Sequence, residues 1–384
     1  MTENVVVLGS GYAGAGAITK LQSELGGNVR LTWISDVDYH LVLHEVHRVI
    51  RDPSVQSEIA IPVQDIIAPT TQFIQGEITG LDVDERVVEL EDGTDVDYDY
   101  VLVALGSRTA YYGIPGLEEH SRTLKSLDDA LEIHDAVMEA SQEATRGEPA
   151  QIVIGGAGLS GIQTAGEIAE FRDERRAPIE IHLVEALDEI FPGNDPEIQQ
   201  ALRDLLEDAG VRIHTDDPIT EAEDGVIHFD EGDPLEFDAF VWTGGITGRE
   251  ALDGVDLENQ HNRVETEATF QTSDERVFAI GDSAIIDQGD QPAPPTAQAA
   301  WQAADVAGEN IARAIEGRPL MTWEHDDKGT VVSVGKKAVA HDVQMLPIDT
   351  FGGFPAKNLK KLIAARWIAD VTSWNQARKA WPVL

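Results

Sequence analysis

The sequence predicts an α/β fold in which one parallel-sheet domain is inserted into another. Three observations carry that prediction. Apolar runs that read as buried strands alternate with helical stretches along most of the chain. A strand–glycine–helix unit occurs twice, as VVVLGSGYAGAGAITKL from Val5 and IVIGGAGLSGIQTAGEIAE from Ile152. The two glycine turns begin 147 residues apart (Gly9 to Gly156), which suits one domain inside another rather than a short-period solenoid.

In chain order, NVVVLGSG reads as a buried strand, YAGAGAITKLQSEL as the helix behind it and RLTWIS as a second strand. FIQGEITGLDVDERVVEL predicts short strands with turns, and YDYVLVALGS another buried strand. SLDDALEIHDAVMEASQEA is an amphipathic helix, with Leu127, Ala130, Leu131, His134 and Val137 at helical spacing. After the loop TRGEPAQ comes the second glycine unit, then the strand IEIHLVEA and the helix PEIQQALRDLLEDAG, closed by Gly210. VRIHT, AFVWTGG and VFAIGDSA are further strands, and a long helix follows the paired prolines of APPTAQAAWQAADVAGENIARAIEG.

Composition narrows the functions. The 384 residues suffice for two or three domains, and 42% hydrophobic content is that of a folded globular protein. No apolar run approaches the ~18 residues a membrane span needs. The first strand begins so early that a signal peptide has no room, so a cytoplasmic location is expected. With 70 acidic against 28 basic residues the net charge is −42, a field that repels nucleic-acid phosphates and excludes DNA or RNA as a partner. Only nine of the basic residues are lysine. A surface so acidic and lysine-poor fits a halophile's protein kept soluble in concentrated salt; the plainer alternative is simply an acidic protein. Cysteine is absent, which removes disulfides, thiolate metal sites and thiol nucleophiles together.

Gly9, Gly11 and Gly14 form GxGxxG between a strand and a helix. That arrangement gives a tight turn, a backbone close to a pyrophosphate and a helix N-terminus facing the phosphates. The acid that binds ribose hydroxyls is expected at the end of the next strand, where Ser35 and Asp36 stand; Asp36 is the carboxylate of the two. Gly156, Gly158 and Gly161 repeat the pattern, and Glu185 follows Gly161 by 24 residues, near the ~20 expected. A carboxylate there accepts from ribose hydroxyls and repels a 2′-phosphate, favouring NADH over NADPH; a solvated strand-end carboxylate is the plainer reading. Two dinucleotide sites in one chain pair naturally as flavin and nicotinamide. Asp282 after Gly281, on a turn behind a buried strand, suits a flavin's ribityl chain, although a Gly-Asp pair is more often only a turn.

At this point the chain resembles the two-dinucleotide flavoprotein reductases, and more narrowly the type II NADH dehydrogenases. The likeness rests on GSGYAG at Gly9, HLVLHEV at His40, VALGS at Val103, GGAGLSG at Gly155, VEALDEIFPG at Val184, VWTGGI at Val241, AIGDSA at Ala279, PPTAQAAWQ at Pro294 and DKGTVVSVG at Asp327. It implies electron transfer from NADH through FAD to a quinone. It would place FAD on Gly9, Gly11, Gly14, Ala104, Gly106, Gly281 and Asp282, with His44 and Glu45 on the flavin side. NADH would lie on Gly156, Gly158, Gly161 and Glu185, with Gly244 and Gly245 lining the nicotinamide path. Gln298 and Gln302 match a segment beside the isoalloxazine on the quinone side, and Lys328 a basic position near the same ring. His44 and His47 flank Glu45, but flavin packing or a structural role is expected there rather than a metal site. Gln298 and Gln302 lie four apart, as residues on any exposed helical face can. Relatives that relay electrons through a cysteine pair are excluded by the absence of cysteine. In one respect the chain departs from the family: Gln163 stands where a glutamate with a proton-transfer role is common, and Glu167, a turn on, is a candidate substitute.

From Pro355 the charge reverses. Six cations (Lys357, Lys360, Lys361, Arg366, Arg378 and Lys379) face only Asp370, +5 over residues 355–384 against −47 for the remainder. With Leu359, Leu362, Ile363, Trp367, Ile368, Val371 and Trp374 interleaved, this predicts an amphipathic helix on an anionic membrane surface. Packing on the protein itself or on a second subunit is the competing reading, and the family suggests a homodimer. The whole prediction is therefore α/β, with two Rossmann-like dinucleotide-binding domains, the NADH domain inserted in the FAD domain, plus a C-terminal α+β segment. The expected boundaries are 1–112 and 247–318 for FAD, 113–246 for NADH and 319–384 for the segment. The expected enzyme is a peripheral, non-proton-pumping NADH dehydrogenase on the inner face of the cell membrane. Its rivals are an NADH-dependent reductase of a soluble electron-transfer protein and a non-catalytic redox sensor.

Overall fold

In the computed structural model, residues 3–344 and 346–384 are described. The chain enters through strand β1 (Glu3–Leu8), helix α1 (Tyr12–Glu24), β2 (Val29–Ser35), β3 (Thr71–Gln75) and β4 (Tyr100–Val103). Helix α2 (Leu127–Glu143) leads to β5 (Ala150–Gly155), α3 (Leu159–Arg175), β6 (Ile179–Val184), α4 (Pro196–Asp208), β7 (Val211–His214) and β8 (Ala239–Trp242). The chain returns through β9 (Val277–Ala279) and α5 (Ala297–Ile315), then closes with β10 (Thr330–Val334), β11 (Lys337–His341), β12 (Thr350–Gly352), α6 (Phe354–Val371) and α7 (Trp374–Ala380).

The first sheet runs β9–β4–β1–β2–β3 with every pair parallel. Its last strand comes from beyond residue 276, so the chain leaves this sheet, builds the second and comes back. The second sheet, β7–β6–β5–β8, is also parallel and lies wholly inside that excursion. Both sheets bury Val- and Ile-rich strands on two faces, which is why those strands read as continuous apolar runs. The third layer is the antiparallel sheet β10–β11–β12 carrying α6 and α7.

Local chemistry explains the element ends. Ser126 caps α2 reciprocally with Asp129, and Thr296 caps α5 after the prolines. Gly210, at φ +72, lies just past the end of α4 as expected from a left-handed stop. The tail differs from the single amphipathic helix predicted: it breaks at Thr372 into α6 and α7. Its apolar stripe divides as well. Trp367, Ile368 and Val371 are buried, while Leu362 (51% exposed), Ile363 and Trp374 (67%) face outward. Lys360, read as a surface cation, is only 4% exposed. The third sheet and α1 occupy one side of α6, so part of an apparently solvated face is interior.

Candidate active site

The first glycine loop joins β1 to α1 at one end of a cavity of about 680 Å³. Gly9 adopts φ +96, and a Cβ on Gly14 would collide with the Gly9 carbonyl oxygen, so both positions require glycine. At Gly11, which caps α1, a Cβ would meet nothing within 4 Å. That open space beside a helix N-terminus is a cradle for a phosphate. Ala104, Gly106, Ser35, Asp36 and Asp282 share the cavity wall. Ser35 is buried, and its hydroxyl donates to Ser10 Oγ at 2.9 Å, whereas the Asp36 carboxylate is exposed. At Asp282 the Ser107 hydroxyl donates to Oδ2 at 2.9 Å, and Lys125 Nζ donates to Ser107 Oγ at 3.2 Å. Burial lowers the Lys125 pKa, an effect that Asp282 partly offsets. A cavity of this volume with a glycine cradle and a hydrogen-bonded carboxylate fits a bound dinucleotide.

The second loop repeats the first. Gly156 has φ +91, and a Cβ on Gly161 would collide with the Gly156 carbonyl oxygen. Gly158 caps α3 with open space at its Cβ, as Gly11 caps α1. Glu185, buried at the end of β6, accepts the Ala157 N–H at 2.8 Å and the Leu187 N–H at 3.1 Å. It therefore braces the loop itself. Gly244 and Gly245 follow β8, and a Cβ on Gly156 would lie 2.9 Å from the Gly244 nitrogen. This loop too fits a dinucleotide.

Between the units lies a buried polar cluster. Tyr12 and Leu43 line the cavity, whereas His44 and Glu45 do not; the Tyr12 hydroxyl is hydrogen-bonded to His44 Nδ1. Glu45 pairs with Arg48 and lies 3.5 Å from Lys360 Nζ on α6. Burial alone would raise the Glu45 carboxyl, but Lys360, Arg48 and His44 outweigh it and hold it at about 2. Lys360 Nζ donates to Ser333 Oγ at 2.7 Å and to His47 Nε2 at 3.2 Å. Burial depresses this ammonium to about 8, against the pull of Glu45. The Gln163 amide donates to the same Ser333 hydroxyl at 3.2 Å. Glu167 has no exposed surface and faces Arg51 at 3.2 Å, and burial raises its pKa. Its two oxygens lack a hydrogen-bond partner.

The other predicted residues lie elsewhere. Gln298 and Gln302 on α5 do not line the cavity. Their amides hold the segment before β10: Gln298 accepts the Lys328 N–H at 2.8 Å and donates to Gly329 O, and Gln302 donates to Asp326 O at 2.8 Å. The Lys328 side chain is exposed. A latch joins the tail to the first loop. Trp367 Nε1 donates to His40 Nε2 at 2.8 Å, and His40 Nδ1 donates to the Ser10 carbonyl at 2.7 Å. Those partners select the neutral tautomer, and burial agrees by lowering His40 to about 4.

The family Pyridine nucleotide-disulphide oxidoreductase matches residues 3–304, most of the chain. The chain belongs to this family. Among curated members, the Type II NADH:quinone oxidoreductase of Staphylococcus saprophyticus is 29% identical over 390 residues, covering 95% of this chain and 94% of that one. The Staphylococcus aureus protein of the same name (strain MSSA476) is 29% identical over 394 residues, with 96% of each covered. In fold, the chain is similar to NDH2 from Plasmodium falciparum, with TM-score 0.84, 15% identity and 100% and 97% of the two chains covered. It is also similar to the sulfide:quinone oxidoreductase of Aquifex aeolicus, with TM-score 0.80, 18% identity and 97% and 92% covered.

Although the name of this pyridine nucleotide-disulphide oxidoreductase family includes a disulphide, the chain contains no cysteine. The structure adds residues that sequence reasoning missed: Ser107 and Lys125 at Asp282, and Arg48, Arg51, Ser333 and Lys360 in the cluster, where His47 joins them. Lys125 stands in an unremarked loop, and Lys360 in a lysine-rich run. Only burial separates either from a solvated cation.

Proposed function

We propose that the chain is an FAD-dependent oxidoreductase that takes two electrons from NADH and delivers them to a membrane quinone without pumping protons. The observation that carries this reading is a pair of like-built glycine cradles in one cysteine-free chain. FAD, when bound, supplies the two-electron carrier between the substrates. Gly9, Gly11 and Gly14 hold its pyrophosphate, Asp36 its ribose, and Gly281 and Asp282 its ribityl chain, with Ala104 and Gly106 along the wall. His44 and Glu45 stand behind Tyr12 and set the charge on that side. NADH lies along Gly156, Gly158 and Gly161, with Glu185 at its ribose and Gly244–Gly245 at its nicotinamide end.

Atoms balance as NADH + H⁺ + quinone → NAD⁺ + quinol, so one proton must be delivered besides the hydride. Gln163 has no titratable proton, and Glu167 is turned onto Arg51. Lys360 shares Ser333 with Gln163 and stays protonated at neutral pH, so it holds the proton. Gln298 and Gln302 brace the segment carrying Lys328 at the quinone side.

Among the described residues no helix is long and apolar enough to cross a membrane. Phe354, Leu362, Ile363 and Trp374 are exposed beside Arg366, Arg378 and Lys379, which supports peripheral attachment to an anionic membrane on its cytoplasmic face. The working units are 1–112 with 247–318, 113–246 and 319–384; the functional form is a homodimer that binds no nucleic acid. Stopped-flow reduction by NADH, followed by mixing with a short-chain quinone, tests the reading. Rapid reduction and quinone-dependent reoxidation are expected. Failure of reoxidation would sink it.

A further inference from the structure

Tyr112 is a bulky residue in a backbone conformation that ordinarily excludes one. The Ile114 N–H donates to the Tyr111 carbonyl at 3.0 Å, closing a turn whose central residues, Tyr112 and Gly113, have φ +54 and φ +69. Both are left-handed, as in a type I′ turn, where glycine, asparagine and aspartate are preferred. Burial does not compensate the strain, because Tyr112 is 69% exposed. An exposed aromatic side chain in a left-handed turn points to a constraint other than folding.

The position of the ring shows what the constraint is. A Cβ on Gly245 would overlap the Tyr112 hydroxyl and lie 3.1 Å from Cε2, so the phenol lies directly on that glycine. Gly244, one residue back, abuts Gly156 of the second loop. Both glycines follow β8, at the carboxyl edge of the parallel sheet where ligands of open α/β sheets bind. The same stretch is tied to the first unit. Trp242 Nε1 donates to Ala110 O at 2.9 Å, and Arg108–Thr109 pairs with Ile246–Thr247. Arg108 itself lines the 680 Å³ cavity. The Tyr112 ring thus stands on the glycine after β8, between the second glycine loop and the strand pairing that ties this stretch to the first unit.

We infer that Tyr112 is a positioning residue whose phenol ring packs against the nicotinamide ring of the nucleotide held by the second glycine loop. The inference rests on the reading proposed above. A flat, electron-poor pyridinium on a phenol face gains from stacking and from cation–π attraction. The rest of the nucleotide, held by the loop and Glu185, makes no use of the ring.

The test is calorimetric titration of the oxidised, FAD-loaded protein with NAD⁺ and, separately, with ADP-ribose, which has the same phosphates and adenosine but no nicotinamide. Tyr112→Asn keeps a residue that accepts the left-handed turn and removes only the ring; Tyr112→Phe restores the ring. Tyr112→Asn should weaken NAD⁺ by about two- to tenfold and leave ADP-ribose unchanged, and Tyr112→Phe should bind both as wild type does. Unchanged NAD⁺ affinity in Tyr112→Asn, or an equal loss for both ligands, would overturn the inference. Wild-type protein that binds neither ligand would instead overturn the assignment of the second loop.

Discussion

At the scale of single residues, the cluster around Lys360 shows how burial turns ordinary side chains into chemical ones. A lysine at about 8 is protonated at neutral pH and loses its proton as the pH rises. Quinone-dependent reoxidation should therefore fall as pH rises through about 8, whereas reduction by NADH should not share that limb. Lys360→Met should slow reoxidation by about a hundredfold or more while leaving the reductive half unchanged, read by double-mixing stopped flow across that range. An unchanged pH profile in that variant would remove Lys360 from the proton path. Glu185 carries a second prediction at this scale. Because its carboxylate also holds the Ala157 and Leu187 N–H groups, alanine would disturb the loop as well as the ribose. Glu185→Gln keeps an oxygen for the loop and removes the charge. It should narrow the preference for NADH over NADPH in steady-state kcat/KM; an unaltered ratio would refute the ribose role.

The glycine loops and the C-terminal helices decide matters at the scale of elements. Gly11 and Gly14 belong to one motif but answer to different constraints. Gly14→Ala drives a methyl into the Gly9 carbonyl and should cost stability and flavin retention together. Gly11→Ala meets no protein atom, so melting should be nearly unchanged while the phosphate cradle is obstructed and FAD is lost. Flavin absorbance after gel filtration, set beside thermal melting, separates the two. Trp367 acts through an element as well: it is 1% exposed, packs on Tyr12 and Trp301, and anchors α6 to the first loop through His40. Trp367→Ala should destabilise the fold by about 3–5 kcal/mol, measured by denaturant unfolding.

For the whole molecule, charge and exposed apolar surface act together. A body of −47 carries a tail of +5, and the proposed contact with an anionic bilayer falls on the outward face of α6 and α7. Replacing Leu362 and Trp374 by serine should weaken binding to anionic vesicles by about tenfold or more and leave turnover with a water-soluble quinone intact. Equal vesicle binding by the double variant would refute that docking face. Deleting residues 355–384 would be a poor test, because the same segment supplies buried Trp367 and Lys360 to the interior.

The chain's own pattern was enough to determine both glycine units, the strand–helix alternation and the insertion of one sheet in another. Those features rest on local rules: tight turns need glycine at φ above zero, buried parallel strands need unbroken apolar runs, and helix ends need caps. The cluster of His47, Arg48, Arg51, Gln163, Glu167, Ser333 and Lys360 was decided only in three dimensions. Its members come from four places in the chain, the stretch between β2 and β3, α3, β10 and α6, and no local period links Lys360 on α6 to Glu45 between β2 and β3. The same holds for the tail, whose sequence gives an amphipathic stripe but not how much of it another layer covers. Burial sets the proton affinity of a side chain, and burial is a property of neighbours that are distant along the chain.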